Sequence, residues 1–433
     1  MPLSGRERLA LWVYSALLRL LTPLYFLRLL ARSRAEPLYR AHWLERLGCG
    51  AATAPGAVWV HAVSLGETRA AEPLLAALRA AHPGLRLLLT HSTATGRAAG
   101  QPLLREGDAQ RWLPLDTPGA VARFLKRHRP LLGVLMETEI WPNLQRAATQ
   151  AGVPMVLANA RLSERSLRRG QRLHALLAPA ARSLHAALAQ SAADAQRLRQ
   201  AGVAEVQVCG NLKFDMRPNA ALLAQGQRWR AQLDRPVLLL AVSREGEEAA
   251  LLQVWRQHFA QQGQGRAPLL LLVPRHPQRF DEVAALVQAS SWTLQRRSHW
   301  ADELPLQISQ VDVCLGDSLR EMPLYYGLAD VALLGGSFEP LGGQNLIEAA
   351  ACACPLLMGP HTFNFAQAAE LALQAGAARR CADVPSAVQQ ALQLLEQPAA
   401  LQSMREAALQ FAAAHQGAAQ RSVQLLQPLL KKA

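Results

Sequence analysis

Val58-Trp-Val-His-Ala-Val63 is an apolar run that stops at Ser64-Leu-Gly-Glu-Thr68 and gives way to a helical pattern over 69–82. A second apolar run, Arg86-Leu-Leu-Leu-Thr90, follows and stops at His91-Ser-Thr-Ala-Thr-Gly96. Short continuous apolar runs separated by an amphipathic helix form a βαβ unit, and strands buried on both faces lie in a parallel sheet. The alternation continues through candidate strands at 131–136, 154–158 and 206–209, with a helical pattern at 118–128. Between 213 and 235 it stops, where Pro218 and Pro236 flank a polar helical stretch. It restarts at 237–242, 269–273, 311–315, 331–334 and 355–358, and 384–432 reads as amphipathic helix ending in Lys431 and Lys432. The expected fold is α/β, with two parallel-sheet domains. Ligands of such sheets bind beyond the carboxyl ends of the strands, so two such ends facing a central cleft are the expected site. The expected boundaries are an N-terminal helix at 1–35, a first domain at 36–215, a linker at 216–235 and a second domain at 236–433.

The 433 residues are 50% hydrophobic and 18% charged, which excludes a disordered or collagen-like chain and suffices for two or three cores. Lys+Arg total 46 against 32 Asp+Glu, a formal charge of +14 that favours contact with phosphate, nucleic acid or an anionic membrane. Only Lys126, Lys213, Lys431 and Lys432 are lysines; arginine supplies the rest in a chain rich in Ala and Leu, so composition bias is an alternative source of the excess and weakens the inference of a partner. Aromatics are 5% and no nucleic-acid-binding motif appears, so no nucleic-acid partner is expected. The six cysteines are scattered, and Cys352-Ala-Cys354 lacks the spacing of redox or zinc pairs, so a reducing compartment is expected.

Residues 9–30 are mostly apolar and aromatic, with Trp12, Tyr14, Tyr25 and Phe26, but Arg19, Pro23 and Arg28 interrupt them. An unpaired arginine in hydrocarbon costs at least ~2.5 kcal/mol, which makes this a poor central span. No small-residue cleavage site follows it. An N-terminal anchor or a helix lying in the interface remains, with Arg28, Arg32 and Arg34 attracted to anionic headgroups on the cytoplasmic side.

The chemistry sits at the strand ends. Glu67 opens the helix after the first strand, as a first-turn stabiliser or a general base. Ser64, Ser92 and Thr95 belong to hydroxyl-bearing loops suited to a sugar, an anion or simple capping. Glu137-Thr-Glu-Ile-Trp-Pro-Asn143 places two carboxylates, Glu137 and Glu139, two residues apart before an expected exposed Trp-Pro; their repulsion requires a partner. Lys213 follows the last strand of the half as a compact point charge for an anion, or as an ordinary surface lysine. In the second half, Pro274-Arg275-His276-Pro277 fixes Arg275 for bidentate phosphate contact. Asp317 and Ser318 are expected to start a helix that offers amides. Gly342-Gly343 is expected to open a helix to a phosphate, with Glu348 on ribose hydroxyls. Neither a G-x-G-x-x-G fingerprint nor a Walker A loop is present.

His61-Ala-Val-Ser-Leu-Gly-Glu67, Glu137-Thr-Glu-Ile-Trp-Pro-Asn143, Asn159-Ala-Arg-Leu-Ser163, Gly210-Asn-Leu-Lys213, Pro274-Arg-His276, Gly335-Gly-Ser-Phe338, Gly342-Gly-Gln-Asn-Leu-Ile-Glu348 and Met358-Gly-Pro-His-Thr-Phe-Asn-Phe365 resemble, in this order, the 3-deoxy-D-manno-octulosonic acid (Kdo) transferases. The resemblance implies a GT-B glycosyltransferase of two Rossmann-like domains: a lipid A precursor (lipid IVA) on the first, CMP-Kdo on the second. It also implies a metal-independent, inverting reaction in lipopolysaccharide synthesis without a cofactor, at the cytoplasmic face of the inner membrane. By the same resemblance Glu67 matches the general base, and Glu137 (or Glu139) and Lys213 match transition-state stabilisers. Arg275, His276, Leu319, Arg320, Glu321, Asn345, Leu346, Ile347 and Glu348 match CMP-binding segments. Ser64, Ser92, Thr95, Glu139 and Arg161 are acceptor-side candidates. Arg320 stands where the family usually has glycine, and Gln344 where histidine is common. The competing readings are a GT-B transferase or epimerase for another nucleotide sugar, and a non-catalytic basic binder.

Overall fold

The computed structural model describes residues 3–259, 267–301 and 303–431. The chain divides into two units, one built from the residues up to 216 together with those from 416 onward, the other from 217–415.

In the first unit β1 (Val58–His61), β2 (Leu87–His91), β3 (Ala109–Trp112), β4 (Leu132–Met136), β5 (Met155–Ala160), β6 (Ala186–Ala189) and β7 (Val206–Val208) form one sheet in the order β3-β2-β1-β4-β5-β6-β7. In the second, β8 (Val237–Ser243), β9 (Leu269–Pro274), β10 (Leu294–Arg296), β11 (Val313–Leu315), β12 (Val331–Leu334), β13 (Leu356–Met358) and β14 (Ala378–Arg380) are ordered β10-β11-β9-β8-β12-β13-β14. Every strand pairing is parallel. The two parallel α/β halves of the sequence reading are therefore correct. Strand order reverses between β1 and β4 in one sheet and between β8 and β12 in the other. The loops after these four strands diverge there, leaving a crevice at the carboxyl edge.

The central strands are buried on both faces, as their unbroken Val and Leu runs require. β3, β6, β10 and β14 have no such run. Three are sheet edges and β6 adjoins one, so half-covered residues such as Arg111 and Arg380 are tolerated in the edges.

Two expected boundaries move. The final helix, Ala418–Leu430, belongs to the first unit, where Val423 and Leu426 pack with Leu74 and Leu78 of helix Leu65–Ala81. The Asp215 carboxylate holds its start by accepting from the Gly417 and Ala419 amides, both at 2.5 Å. Lys432 lies outside the described residues. Residues 217–235 are no linker: helix Ala220–Ala231 is packed against Met322–Leu328 in the second unit. The two helices cross at glycines, and a Cβ on Gly226 would stand 2.1 Å from the Leu324 carbonyl oxygen.

Helix Gly5–Arg32 is likewise part of the first unit, docked at separate points along its length. The Tyr14 hydroxyl donates to Asp116 (3.0 Å), the Ser15 hydroxyl to Asn143 Oδ1 (3.0 Å), and Arg46 to the Tyr25 hydroxyl (3.0 Å). Leu9, Trp12, Leu17, Leu20, Leu24 and Leu27 remain exposed. By length and composition it is the one helix among the described residues able to cross a membrane.

Candidate active site

Val63 organises the edge of the first sheet. Its N–H donates to Glu67 Oε2 at 2.7 Å, and its carbonyl accepts from the amides of Ser92 (3.2 Å) and Thr93 (3.1 Å) and from the Thr93 hydroxyl (3.0 Å). The loops after β1 and β2 are thereby stitched together. Ser64 caps helix Leu65–Ala81, and its hydroxyl faces the Glu67 carboxylate. Thr93 does the same for the helix that carries exposed Thr95, and the Ser92 carbonyl accepts from Arg46.

Glu67 is half-buried. Burial pushes its carboxyl up to about 7, the negative charges of Glu137 and Glu139 add to this, and the Val63 N–H and Arg161 oppose it. Beneath the loops lie His61 and His91, which burial pushes down to about 3 and about 4. Both are neutral, with Nδ1 of His61 on Thr90 and Nδ1 of His91 on the Ala62 carbonyl. The floor under Glu67 is polar but uncharged.

Across the switch point, Glu137 follows β4 with φ +59° and a buried carboxylate. Arg161 Nε donates to one oxygen at 2.8 Å, and Lys213 Nζ stands 3.4 Å from the other. This is the partner that the Glu137/Glu139 repulsion demands, and it separates the two: Glu137 is the ion-paired carboxylate. Burial and the Glu137 charge push the Glu139 carboxyl up, partly opposed by the Trp141 indole. The expected exposed Trp-Pro is not exposed, since Trp141 is half-buried and Pro142 buried. Asn159, which the sequence marks only as the start of a family motif, is buried with φ +51°, and its Oδ1 accepts from the Leu212 amide at 3.0 Å and so places the turn bearing Lys213. An asparagine closing a strand, where the left-handed conformation suits it, was the available signal.

The second sheet's edge is built from glycines and braced by buried acids. Glu247 accepts from the amides of Gly336 (2.7 Å), Arg244 (2.8 Å) and Phe338 (3.2 Å), and burial pushes its carboxyl up. Glu248 is paired through both oxygens with Arg279, at 2.7 and 3.0 Å. Sequence reasoning missed Glu247, Glu248 and Arg279, because nothing in the sequence marks a buried acid or its partner as a brace. Arg275 is exposed at the end of β9, its amide on the Ser243 carbonyl at 2.9 Å. His276 is half-buried, and burial, then Arg244 and Arg275, push its pKa down, which keeps it neutral at pH 7.

Three donor-side expectations change. The Gly343 amide donates to the Gly336 carbonyl at 2.7 Å, so the double glycine joins two loops instead of presenting both amides. Leu346 and Ile347 are buried, leaving Asn345 and half-buried Glu348 as the polar side chains of that segment. No helix starts at Asp317 and Ser318: helix Met322–Leu328 begins later, and Asp317 accepts from Arg296 Nε (2.6 Å) and the Ser298 amide (2.8 Å). Glu321 accepts from Arg297 at 2.9 Å and from the Ser318 hydroxyl, and Leu319 is exposed.

Residues 41–216 match the family model of 3-deoxy-D-manno-octulosonic-acid transferase (kdotransferase). A 3-deoxy-D-manno-octulosonic acid transferase of Bordetella pertussis is 48% identical over 428 residues, covering 96% of this chain and 99% of its own. This chain belongs to the Kdo transferase family. The Haemophilus influenzae transferase of the same name is 33% identical, over 97% of this chain and 98% of that one. Among solved structures, a glycosyltransferase of Rickettsia africae superposes with a TM-score of 0.57 at 13% identity, covering 88% of this chain and all of that one. The UDP-GlcNAc 2-epimerase of Neisseria meningitidis, bound to UDP-GlcNAc, gives 0.56 at 14% identity, covering 86% and 99%. These likenesses show the fold, which is GT-B. Within this Kdo transferase, Arg320 has φ +67°, a conformation that glycine adopts without strain and that arginine rarely does.

Proposed function

We propose that this Kdo transferase moves Kdo from CMP-Kdo to a hydroxyl of a lipid A precursor, lipid IVA, by an inverting, metal-independent displacement. The first unit takes the acceptor and the second the CMP moiety. Glu67 removes the proton of the attacking hydroxyl, whose oxygen bonds to the anomeric carbon of Kdo. The bond from that carbon to the CMP phosphate breaks, and CMP departs with the electron pair on the opposite face.

The observation that carries this reading is the Glu67 carboxylate, fixed by the Val63 N–H at a switch point and raised to about 7. A base of that pKa is ionised often enough at neutral pH and still drives proton transfer. Lys213 and Arg161, gathered on Glu137, supply positive charge at the same strand ends for developing anionic oxygen. On the second unit, Arg275 and neutral His276 suit a phosphate and a neighbouring hydroxyl, and the polar side chains of Glu321, Asn345 and Glu348 suit ribose and base edges. The exposed apolar face of Gly5–Arg32 supports a position at the cytoplasmic surface of the inner membrane. Because the helix is docked on the unit at Tyr14, Ser15 and Tyr25, we read it as lying in the interface instead of spanning it.

The test is transfer from CMP-Kdo, generated in situ, to a tetra-acylated lipid A precursor in detergent, comparing wild type with Glu67→Gln by product mass. Wild type is expected to add one or more Kdo units, and Glu67→Gln to lose at least about 10³-fold in rate with CMP binding unchanged. A wild type that binds CMP and makes no product refutes the acceptor; a variant as fast as wild type refutes the base.

A further inference from the structure

The first unit carries a groove of about 620 Å³ lined by none of the residues assigned above to catalysis or substrate binding. One wall is the start of Gly5–Arg32, with Glu7, Arg8 and Leu11; the others are helices Pro142–Gln150 and His174–Arg182. Pro142, Leu176 and Pro179 add to its apolar lining. Arg8, Arg146 and Arg182 also border it, against the single carboxylate of Glu7. That carboxylate is already committed: the Ser4 amide, then Arg182, hold it well below the usual range, at about 2. The groove thus combines an apolar lining with unbalanced positive charge. It also adjoins the exposed apolar face of the same helix, since Leu9 and Trp12 are next in sequence to Arg8 and Leu11.

We propose that this groove holds an acyl chain of one anionic glycerophospholipid, with its phosphate on Arg8 and Arg146. The volume falls within the ~300–1,000 Å³ of ordinary ligand sites, and an apolar lining closed by arginines matches an amphiphile with an anionic head. Guanidinium groups bind phosphate oxygens in a bidentate fork. Residues from three separate helices line the site, so the bound lipid ties the interfacial helix to the folded unit and fixes its height on the membrane. The acceptor is not the occupant in this reading, and the proposal does not depend on the transfer chemistry.

The full-length protein is purified in detergent, incubated with phosphatidylglycerol or phosphatidylcholine, and the lipid retained per chain is counted by native mass spectrometry. Wild type is expected to keep one phosphatidylglycerol and at least about tenfold less phosphatidylcholine. Ala175→Trp, which fills the groove, and Arg146→Glu, at an exposed position that leaves the fold intact, are each expected to lower phosphatidylglycerol retention at least about tenfold. Equal retention of the two lipids overturns the anionic assignment, and unchanged retention in Arg146→Glu overturns the site even where Ala175→Trp does not fold. An acceptor KM raised tenfold in both variants with retention unchanged assigns the groove to the acceptor and also overturns it.

Discussion

The two units share one architecture and equip its switch points with opposite chemistry. At the β1/β4 edge the charged groups are side chains: Glu67 raised to about 7, Glu137 held by Lys213 and Arg161, and Glu139 raised by burial. At the β8/β12 edge the loops are glycines closed on one another, and the most buried acids, Glu247 and Glu248, serve as internal braces. Proton transfer needs a titratable group whose pKa the fold can move. Holding a nucleotide needs backbone that comes close and stays rigid. Under the proposed function, the same sheet topology serves as a reactive edge in one unit and a receiving edge in the other.

Substitutions sharpen the contrast, the most disruptive first. A Cβ on Gly335 would stand 2.4 Å from the Val242 carbonyl oxygen, with no flexible side chain to yield. Gly335→Ala is expected to lose about 3 kcal/mol of stability and most CMP affinity, read by thermal melting and calorimetric titration. Lys213→Met is expected to do the reverse. It leaves melting and CMP affinity near wild type and lowers kcat about 100-fold, roughly 2.7 kcal/mol of transition-state stabilisation. If Lys213→Met weakens CMP binding instead, the division of labour between the edges fails. At the smallest scale, Arg320→Gly exchanges relief at φ +67° against a more flexible unfolded chain and changes stability by under about 0.5 kcal/mol. Arg320→Val, which cannot relax there, costs about 1 kcal/mol in the same melts.

The architecture was legible because a parallel sheet buries its central strands on both faces and so writes them as unbroken apolar runs. The half-covered edge strands β3, β10 and β14 are written weakly and the sequence pattern missed them; it also missed β6, which is buried but is a short alanine-rich segment without β-branched residues. Glu67, Glu137 and Lys213 stood out near strand ends, but each kept a bland reading beside the functional one and only the family resemblance gave them roles; the structure joins the last two. Legibility ended where a side chain's partner comes from a distant loop. Glu247 reaches amides 89 and 91 residues away, Asn159 sets the turn before Lys213, and Asp215 anchors a helix 200 residues later. No local pattern distinguishes such a residue from an ordinary polar one. The misplaced boundaries have the same cause, since the return of the last helix to the first unit is a long-range packing event.

The pH dependence of single-turnover transfer tests the central claim, that Glu67 is a base tuned by its surroundings. Its folded-state pKa is raised, so it is protonated and idle below about 7 and ionised above it. The stability linked to its protonated form is full below the ordinary carboxylate value of 4.5 and is lost as the pH rises through about 7. The rate is therefore expected to climb about tenfold per pH unit to a half-maximum near pH 7. In Glu139→Gln, which removes one of the charges that raise Glu67, that midpoint is expected to fall. A rate that stays flat from pH 5.5 to 8, or a midpoint that Glu139→Gln does not move, contradicts the assignment.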